Sequence, residues 1–484
     1  MDMKKSKRFL LGLAAIYWAL VLMIYAVAHE QFHYTAVTSD ALSPIASIGE
    51  LVDGMEVRQR MTVPADRMDS LDIMAGTYGR ANTGVLRMVL TDEAGAVVGQ
   101  GTAELGMFLE GKYTTVPLEQ PVEDRRGEKL TLTLTTEGCA SGNALTLYFG
   151  NTITAGRFDI AQTVPQDELY TVNGETGTGK LCIKMNGIQV LSFYRWYWPI
   201  MCVLFAMACA YVLSCLKQAQ QGKNNPIVLL CTTYSRYGFL IRQLVSRDFK
   251  AKYKRSALGM AWSFLNPLLT MAVQYIVFST LFKSDTPNYP VYLLSGIVFF
   301  SFFSEAVSMG MTSVTGNASL IKKVYMPKYI YPVSRILSSL VNFGLAIIPL
   351  FLVMLVTGTA FTPALLLLIF DVLCLLGFVT GMVLLLSTAM TFFQDTQFLW
   401  GVVSMMWMYL TPLFYTENII PQKLLVFYHM NPMYQYITFA RVCIISGASP
   451  APTAYLWCVV SSVAVLLLGI LTFKHHQDKF ALYL

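Results

Sequence analysis

A phosphate-binding loop is the first chemistry this sequence offers. Gly174-Glu175-Thr176-Gly177-Thr178-Gly179-Lys180 fills the first seven positions of a nucleotide-binding P-loop. The eighth position needs a Ser or Thr hydroxyl for magnesium, and Leu181 stands there. The residues that follow, Cys182-Ile183-Lys184-Met185-Asn186-Gly187, read as a strand before a turn, not as the helix whose N-terminus would hold phosphate. No other such motif occurs in the sequence. ATP and magnesium therefore belong to a partner, and no cofactor is expected in this chain. Ionisable residues inside apolar runs are the next candidates, and these are Glu305, Arg335 and Asp371. Glu305 either lines a water-filled path or pairs with Arg335, and Asp371 is equally readable as a helix-packing residue. No carboxylate pair is spaced for acid–base work, the five histidines are scattered, and the nine cysteines include no CxxC. Neither a catalytic nor a metal site is expected. Cys139 and Cys182 lie in a polar region and could pair.

Binding chemistry is better represented. From Lys217 to Arg255 there are nine Lys or Arg and one acid, Asp248. Arg247 to Arg255 runs almost directly into a long apolar segment, as basic residues do at the inner edge of a membrane span. This cluster reads as facing anionic lipid, not nucleic acid. Tyr237, Leu240, Ile241, Leu244, Val245 and Phe249 recur at helical spacing, opposite Arg236, Gln243, Arg247, Lys250 and Lys254. That pattern predicts an amphipathic helix lying in the membrane interface. Arg247, Lys250, Lys254 and Arg255 are its candidate phosphate ligands. Trp262, Phe299 and Phe303, with Glu305, are candidate channel-lining groups, because aromatic faces suit the CH surfaces of sugars; the competing reading is packing or lipid contact.

The elements that position these residues follow from composition. The chain has 484 residues, 55% hydrophobic and 13% charged, with a mean hydropathy of +0.51. Soluble domains carry about 25% charged residues, so most of this chain is expected in lipid. Residues 1–29 form an N-terminal anchor, basic at Lys4, Lys5, Lys7 and Arg8 and then apolar from Phe9 to Ala28. Ala26-Val27-Ala28 resembles a signal cleavage site, but the run is long enough to span, which favours a retained anchor. Residues 30–192 are polar and lack long apolar runs. A second span covers 193–216, and 217–256 hold a linker and the amphipathic helix. Six further spans, about 258–282, 291–313, 329–356, 364–390, 398–416 and 453–473, fill 257–484, for about eight in all. Residues 416–452 read as a re-entrant external segment. The Lys and Arg distribution puts both termini inside and 30–192 outside; only the loop at Phe393-Gln394-Asp395-Thr396 lacks the basic residues its inner placement predicts.

Within 30–192, period-two runs at 71–74, 85–90, 130–135 and 144–149 alternate with turn signals such as Asp92-Glu93-Ala94-Gly95. They predict an all-β sandwich. The pattern resembles the jelly-roll type of carbohydrate-binding module. Tyr78, Arg80 and Asn82, in a loop between two strands, are candidate sugar contacts; alternatively Tyr78 packs in the core and the loop merely turns.

Arg247 to Pro267, with its basic run, Leu258-Gly259, Trp262-Ser263 and Asn266-Pro267, resembles the start of the transmembrane domain of ABC exporter permeases for O-antigen, capsule and teichoic acid. Asn317 to Pro327, Phe393-Gln394-Asp395-Thr396 and Asn431-Pro432-Met433 continue the resemblance, which covers Arg242 to the C-terminus. It implies a type-2 ABC exporter fold, a homodimer with two separate ATPase chains, and export of a polyprenyl-diphosphate-linked polysaccharide or teichoic-acid-like polymer across the bacterial cytoplasmic membrane. It also implies that Asn317, Leu320, Lys322, Lys323, Tyr325 and Pro327 couple to the ATPase. The first 230 residues depart from that six-span family. A drug or small-lipid exporter, and a membrane-embedded glycosyl- or acyltransferase, are the alternatives.

Overall fold

The computed structural model describes residues 3–39, 42–155, 158–161, 165–191, 193–220, 236–253, 258–282, 288–323, 326–415 and 427–483. The chain divides into two compact units, Phe32–Phe193 and a helical unit built from the flanking segments.

Phe32–Phe193 is the expected β-sandwich. In one sheet, strand Arg67–Gly76 is flanked on one edge by Lys112–Glu123 and on the other by Ile183–Val190 and Thr146–Gly150. Tyr34–Thr38 closes that edge against Ile183–Val190, pairing Tyr34 with Val190. The second sheet runs Val57–Thr62, Lys129–Glu137, Val85–Thr91, Val97–Glu104. Alternation decides which side chains go in. Leu130, Leu132 and Leu134 are buried while Thr131, Thr133 and Thr135 between them are not. They meet Leu71, Ile73 and Ala75 in one core, each large side chain contributing about 1.5–3 kcal/mol by leaving water. The turn after Thr91 is fixed by Asp92, whose carboxylate accepts from Ala94 N and Ala96 N, with Gly95 at φ +81°. The P-loop-like segment belongs to this fold. Glu175–Thr176 and Lys180–Leu181 are short strands, Lys180 is paired with Glu168, and a Cβ at Gly177 would lie 2.1 Å from the Tyr170 ring. Cys139 and Cys182 are separate buried thiols.

The helical unit contains α1 (Met3–His33), α2 (Phe193–Gln220), α3 (Gly238–Tyr253), α4 (Ala261–Phe282), α5 (Tyr289–Met311), α6 (Ala318–Lys323), α7 (Ile330–Val356), α8 (Leu368–Phe392), α9 (Thr396–Leu410), α10 (Pro432–Arg441), α11 (Pro452–His476) and α12 (Phe480–Tyr483). Seven described segments are long and apolar enough to cross a membrane, in α1, α2, α4, α5, α7, α8 and α11. The expected span at 398–416 is instead the 15-residue α9. Pro412 explains the difference: the residue before a proline is pushed out of helical geometry, and Thr411 sits at φ −102°, ψ 127°. The chain then returns through α10, which Asn431 caps by accepting from Met433 N at 3.1 Å.

Packing is uneven. Tyr17 donates to Met201 O at 2.8 Å and Tyr197 to Val21 O at 2.7 Å, which ties α1 to α2. Tyr197 is buried in this contact. Helices α8 and α11 touch backbone to backbone: a Cβ on Gly381 would meet Val465 O at 2.3 Å, and one on Gly469 would meet Gly381 O at 2.4 Å. Helix α5 is buried over most of its length, whereas no residue in the most apolar stretch of α4 is buried.

Candidate functional site

Helix α3 makes its charged contacts on the face that packs inward. Leu244, Asp248 and Lys252 fall four residues apart and so share one face, and α3 packs on α7. Asp248 has a side chain only 4% exposed; Arg247 Nη2 reaches it at 2.9 Å and Arg335 Nη1, from α7, at 3.1 Å. One turn on, Lys252 Nζ lies 2.8 Å from Glu305 Oε1 on α5, and Asn342 Nδ2 on α7 donates to the same oxygen at 2.7 Å. Glu305 is therefore paired with Lys252, and Arg335 with Asp248; the pairing of Glu305 with Arg335 that the sequence suggested does not form.

Lys252, Glu305 and Asn342 line a cleft of about 280 Å³ that also takes in residues of α4, α5 and α7. Its polar wall also includes Ser263, Asn266, Ser301 and Ser339, and its aromatic wall Trp262, Phe302 and Phe343. Hydroxyls and amides beside aromatic rings and one ion pair give this cleft hydrogen-bonding partners as well as apolar walls. Of the expected lining, Trp262 and Glu305 are here. Phe299 and Phe303 lie elsewhere: both are fully buried, Phe299 against Phe343 and Phe303 against Phe378, Trp400 and Trp407. Phe302, another aromatic of the same run, is in the lining, and Lys252 and Asn342 were missed by the sequence reading. Arg247 is engaged by Asp248, Lys250 is exposed, and Lys254 and Arg255 lie outside the described residues.

A second candidate surface lies between α5 and α7. Asn317 Nδ2 donates to Ser313 O at 2.7 Å and starts the short helix α6. Ile321 packs on a small core of Val314, Leu384, Phe473 and Phe480, and Lys328 Nζ donates to Gln477 O. Leu320 and Pro327 are half-buried, while Lys322 and Lys323 face outward; Tyr325 lies outside the described residues. The turn is thus braced from within and offers two cations to whatever docks on it. Phe393, exposed, ends α8 at the neighbouring turn.

In the β-sandwich, Tyr78 is exposed and Arg80 reaches over its ring, 5.2 Å from the centroid. Asn82 is buried beneath them and donates to Thr77 O, so it shapes the loop from inside.

The ABC-2 type transporter family profile matches residues 239–445, from α3 to just beyond α10. The O-antigen export system permease protein RfbA of Klebsiella pneumoniae is 31% identical over 216 residues, which cover 83% of that protein and 43% of this chain. The chain belongs to the ABC-2 transporter family. A second O-antigen export permease, RfbA of Myxococcus xanthus, is 29% identical to this ABC-2 chain over 261 residues, 98% of that protein and 53% of the chain. The capsule polysaccharide export inner-membrane protein CtrC of Neisseria meningitidis is 21% identical over 236 residues, 88% of its length and 48% of the chain. This ABC-2 chain is a multi-pass transport permease, not an enzyme, and its family works with an ATPase. The family match begins in α3, so it contains both ion pairs, the cleft and the turn at Asn317–Lys323, and excludes the β-sandwich and the C-terminal residues Phe473, Gln477 and Phe480 that brace that turn.

Proposed function

We propose that this permease, as a homodimer with two ATPase chains, exports a polysaccharide carried on a polyprenyl diphosphate across the bacterial cytoplasmic membrane. The observation that carries the reading is the match to polysaccharide export permeases over 83% to 98% of their length. Three features of the molecule support it. The cleft pairs aromatic rings with hydroxyls and amides, the two kinds of surface a sugar presents to its site. The outer face of α3 presents basic residues, each attracting anionic headgroups by about 1 kcal/mol near a membrane surface. Lys322, Lys323, Lys474 and Lys479 lie near the ends of α5, α7 and α11 that the positive-inside rule assigns to the cytoplasm. The β-sandwich then lies outside the membrane, on the side where the polymer emerges.

The test is deletion of the gene in its native host. Surface polysaccharide should disappear while lipid-linked glycan accumulates in the inner leaflet. Reconstitution with the ATPase should make ATP hydrolysis depend on lipid-linked glycan. An unchanged cell surface, together with altered efflux of a small lipid or drug, refutes the reading.

A further inference from the structure

The β-sandwich has a built tip. Strand register fixes where it lies: Tyr34 pairs with Val190 at one end, where the chain enters and leaves the sandwich, whereas Gly76 pairs with Thr146, and Val85 with Glu137, at the other. The loops at 48–55, 77–84, 105–111 and 138–143 meet at this far end. Two carboxylates lock them together. Glu110 accepts from Thr77 N at 2.7 Å, Thr77 Oγ1 at 2.8 Å, Gly79 N at 3.2 Å and Tyr148 Oη at 3.0 Å. Glu50 accepts from Arg80 Nη1 at 2.8 Å, Ser141 Oγ at 3.0 Å and Gly142 N at 3.1 Å.

What this frame holds out is Tyr78. Its backbone is left-handed, at φ +55°, a conformation that strains a bulky side chain. The ring gains no core in exchange, since the residue stays 43% exposed, with Met107 and Leu109 of the neighbouring loop exposed as well. Arg80, bridging the Tyr78 ring and Glu50, keeps 45% of its side chain in solvent. An aromatic face flanked by planar, hydrogen-bonding groups on a rigid loop is the pattern that recognises a pyranose: CH groups on the ring, hydroxyls on the guanidinium and carboxylate. The carboxylates outnumber the guanidinium, which disfavours an anionic polymer. Hydrogen bonds, first from the Thr77 hydroxyl, hold Glu110 down at about 2, and the Gly142 amide and Arg80 lower Glu50.

We propose that this tip is a carbohydrate-binding site in which Tyr78 carries the apolar face of a neutral sugar ring while Arg80 and Glu50 bind its hydroxyls. Its ligand class rests on the polysaccharide reading above. The site sits at the end of the sandwich opposite its tether.

The full-length permease in nanodiscs is titrated with neutral oligosaccharides (maltoheptaose and a mannan hexamer) and with oligogalacturonate, read by saturation-transfer NMR. The expected result is saturable binding of a neutral oligomer, retained in Tyr78→Phe and weakened about tenfold or more in Tyr78→Ala and Tyr78→Gly. Tyr78→Gly separates recognition from folding: glycine adopts this backbone without strain, so that variant should melt at a higher temperature while binding less. Binding unaffected by Tyr78→Gly, or seen only with oligogalacturonate, overturns the site. So does a Tyr78→Gly change in oligomeric state without sugar binding, which would make the tip a contact between copies. Absence of saturable sugar binding in a chain whose deletion still abolishes export overturns the tip alone and leaves the export reading standing.

Discussion

Asp248 should be the most sensitive charge in the helical unit. At about 3 Å and an effective dielectric near 20, each Arg–Asp contact is worth roughly 5 kcal/mol of gross attraction. Desolvation of the ions takes back most of this. The carboxylate is 4% exposed, but its partners are not similarly hidden: Arg335 is 27% and Arg247 51% exposed. Asp248→Asn should cost about 3 kcal/mol, the lower end for breaking a buried pair. Glu305→Gln should cost about 1 kcal/mol, because Lys252 and Glu305 are 41% and 30% exposed. Thermal unfolding of the purified permease in detergent measures both. A double-mutant cycle of Asp248→Asn with Arg335→Gln should give a coupling of about 1–3 kcal/mol. Equal costs at Asp248 and Glu305, or additive effects in the cycle, would show that solvent exposure does not rank these pairs and that α3 is not held to α7 by this contact.

Three further outcomes are expected. Reversing Lys322 and Lys323 to Glu should abolish export while ATP hydrolysis continues and stability stays within about 0.5 kcal/mol, since both side chains are exposed; normal export in the double variant rejects the docking role. Glu110 is more acidic in the folded protein, about 2 against an ordinary 4.5, so it stabilises the sandwich above the ordinary carboxylate range and that contribution is lost as pH falls from 4.5 towards 2. Glu110→Gln should flatten the acid limb of the melting curve, and an unchanged limb would exclude the assignment. Gly381→Ala drives a methyl towards a carbonyl 2.3 Å away and should destabilise the α8–α11 pair by about 1–3 kcal/mol, which the same melt would register.

The β-sandwich was readable because its signal is local. Leu130-Thr131-Leu132-Thr133-Leu134 states its own inside and outside, and the structure keeps that alternation. The loop at 77–84 was equally plain, although nothing in its sequence says that Tyr78 points out and Asn82 in. The cleft was only half readable. Helix α5 is apolar on every side, so its periodicity cannot distinguish Phe302, in the cleft, from Phe299 and Phe303, in the core. On α3, a rule that turns charge outward misplaces Asp248 and Lys252. Their partners Arg335 and Glu305 sit on other helices, and that complementarity exists only once the chain has folded. The end of α9 was available in Thr411-Pro412, but the apolar run continues through Leu413 and Phe414 and hid it. The Gly377–Gly381 spacing, a known mark of close helix approach, also went unused although it points to the α8–α11 contact.

The short helix α9 has an electrical consequence. Fifteen residues rise only about 22 Å at 1.5 Å each, against a hydrocarbon layer about 30 Å thick. Beyond its end the chain runs non-helically through Thr411 to Tyr415. There Trp407 Nε1 donates to Asn431 Oδ1 at 2.7 Å and Asn431 Nδ2 to Thr411 Oγ1 at 3.0 Å. Arg441 gathers the carbonyls of Pro412, Leu413 and Tyr292, and its guanidinium lies 3.5 Å from the centre of the Tyr292 ring. This part of the permease replaces hydrocarbon with oriented dipoles and a buried cation. Past the end of α9 the positive pole of this buried dipole cluster is the Arg441 guanidinium, and the three carbonyls it gathers face that one charge.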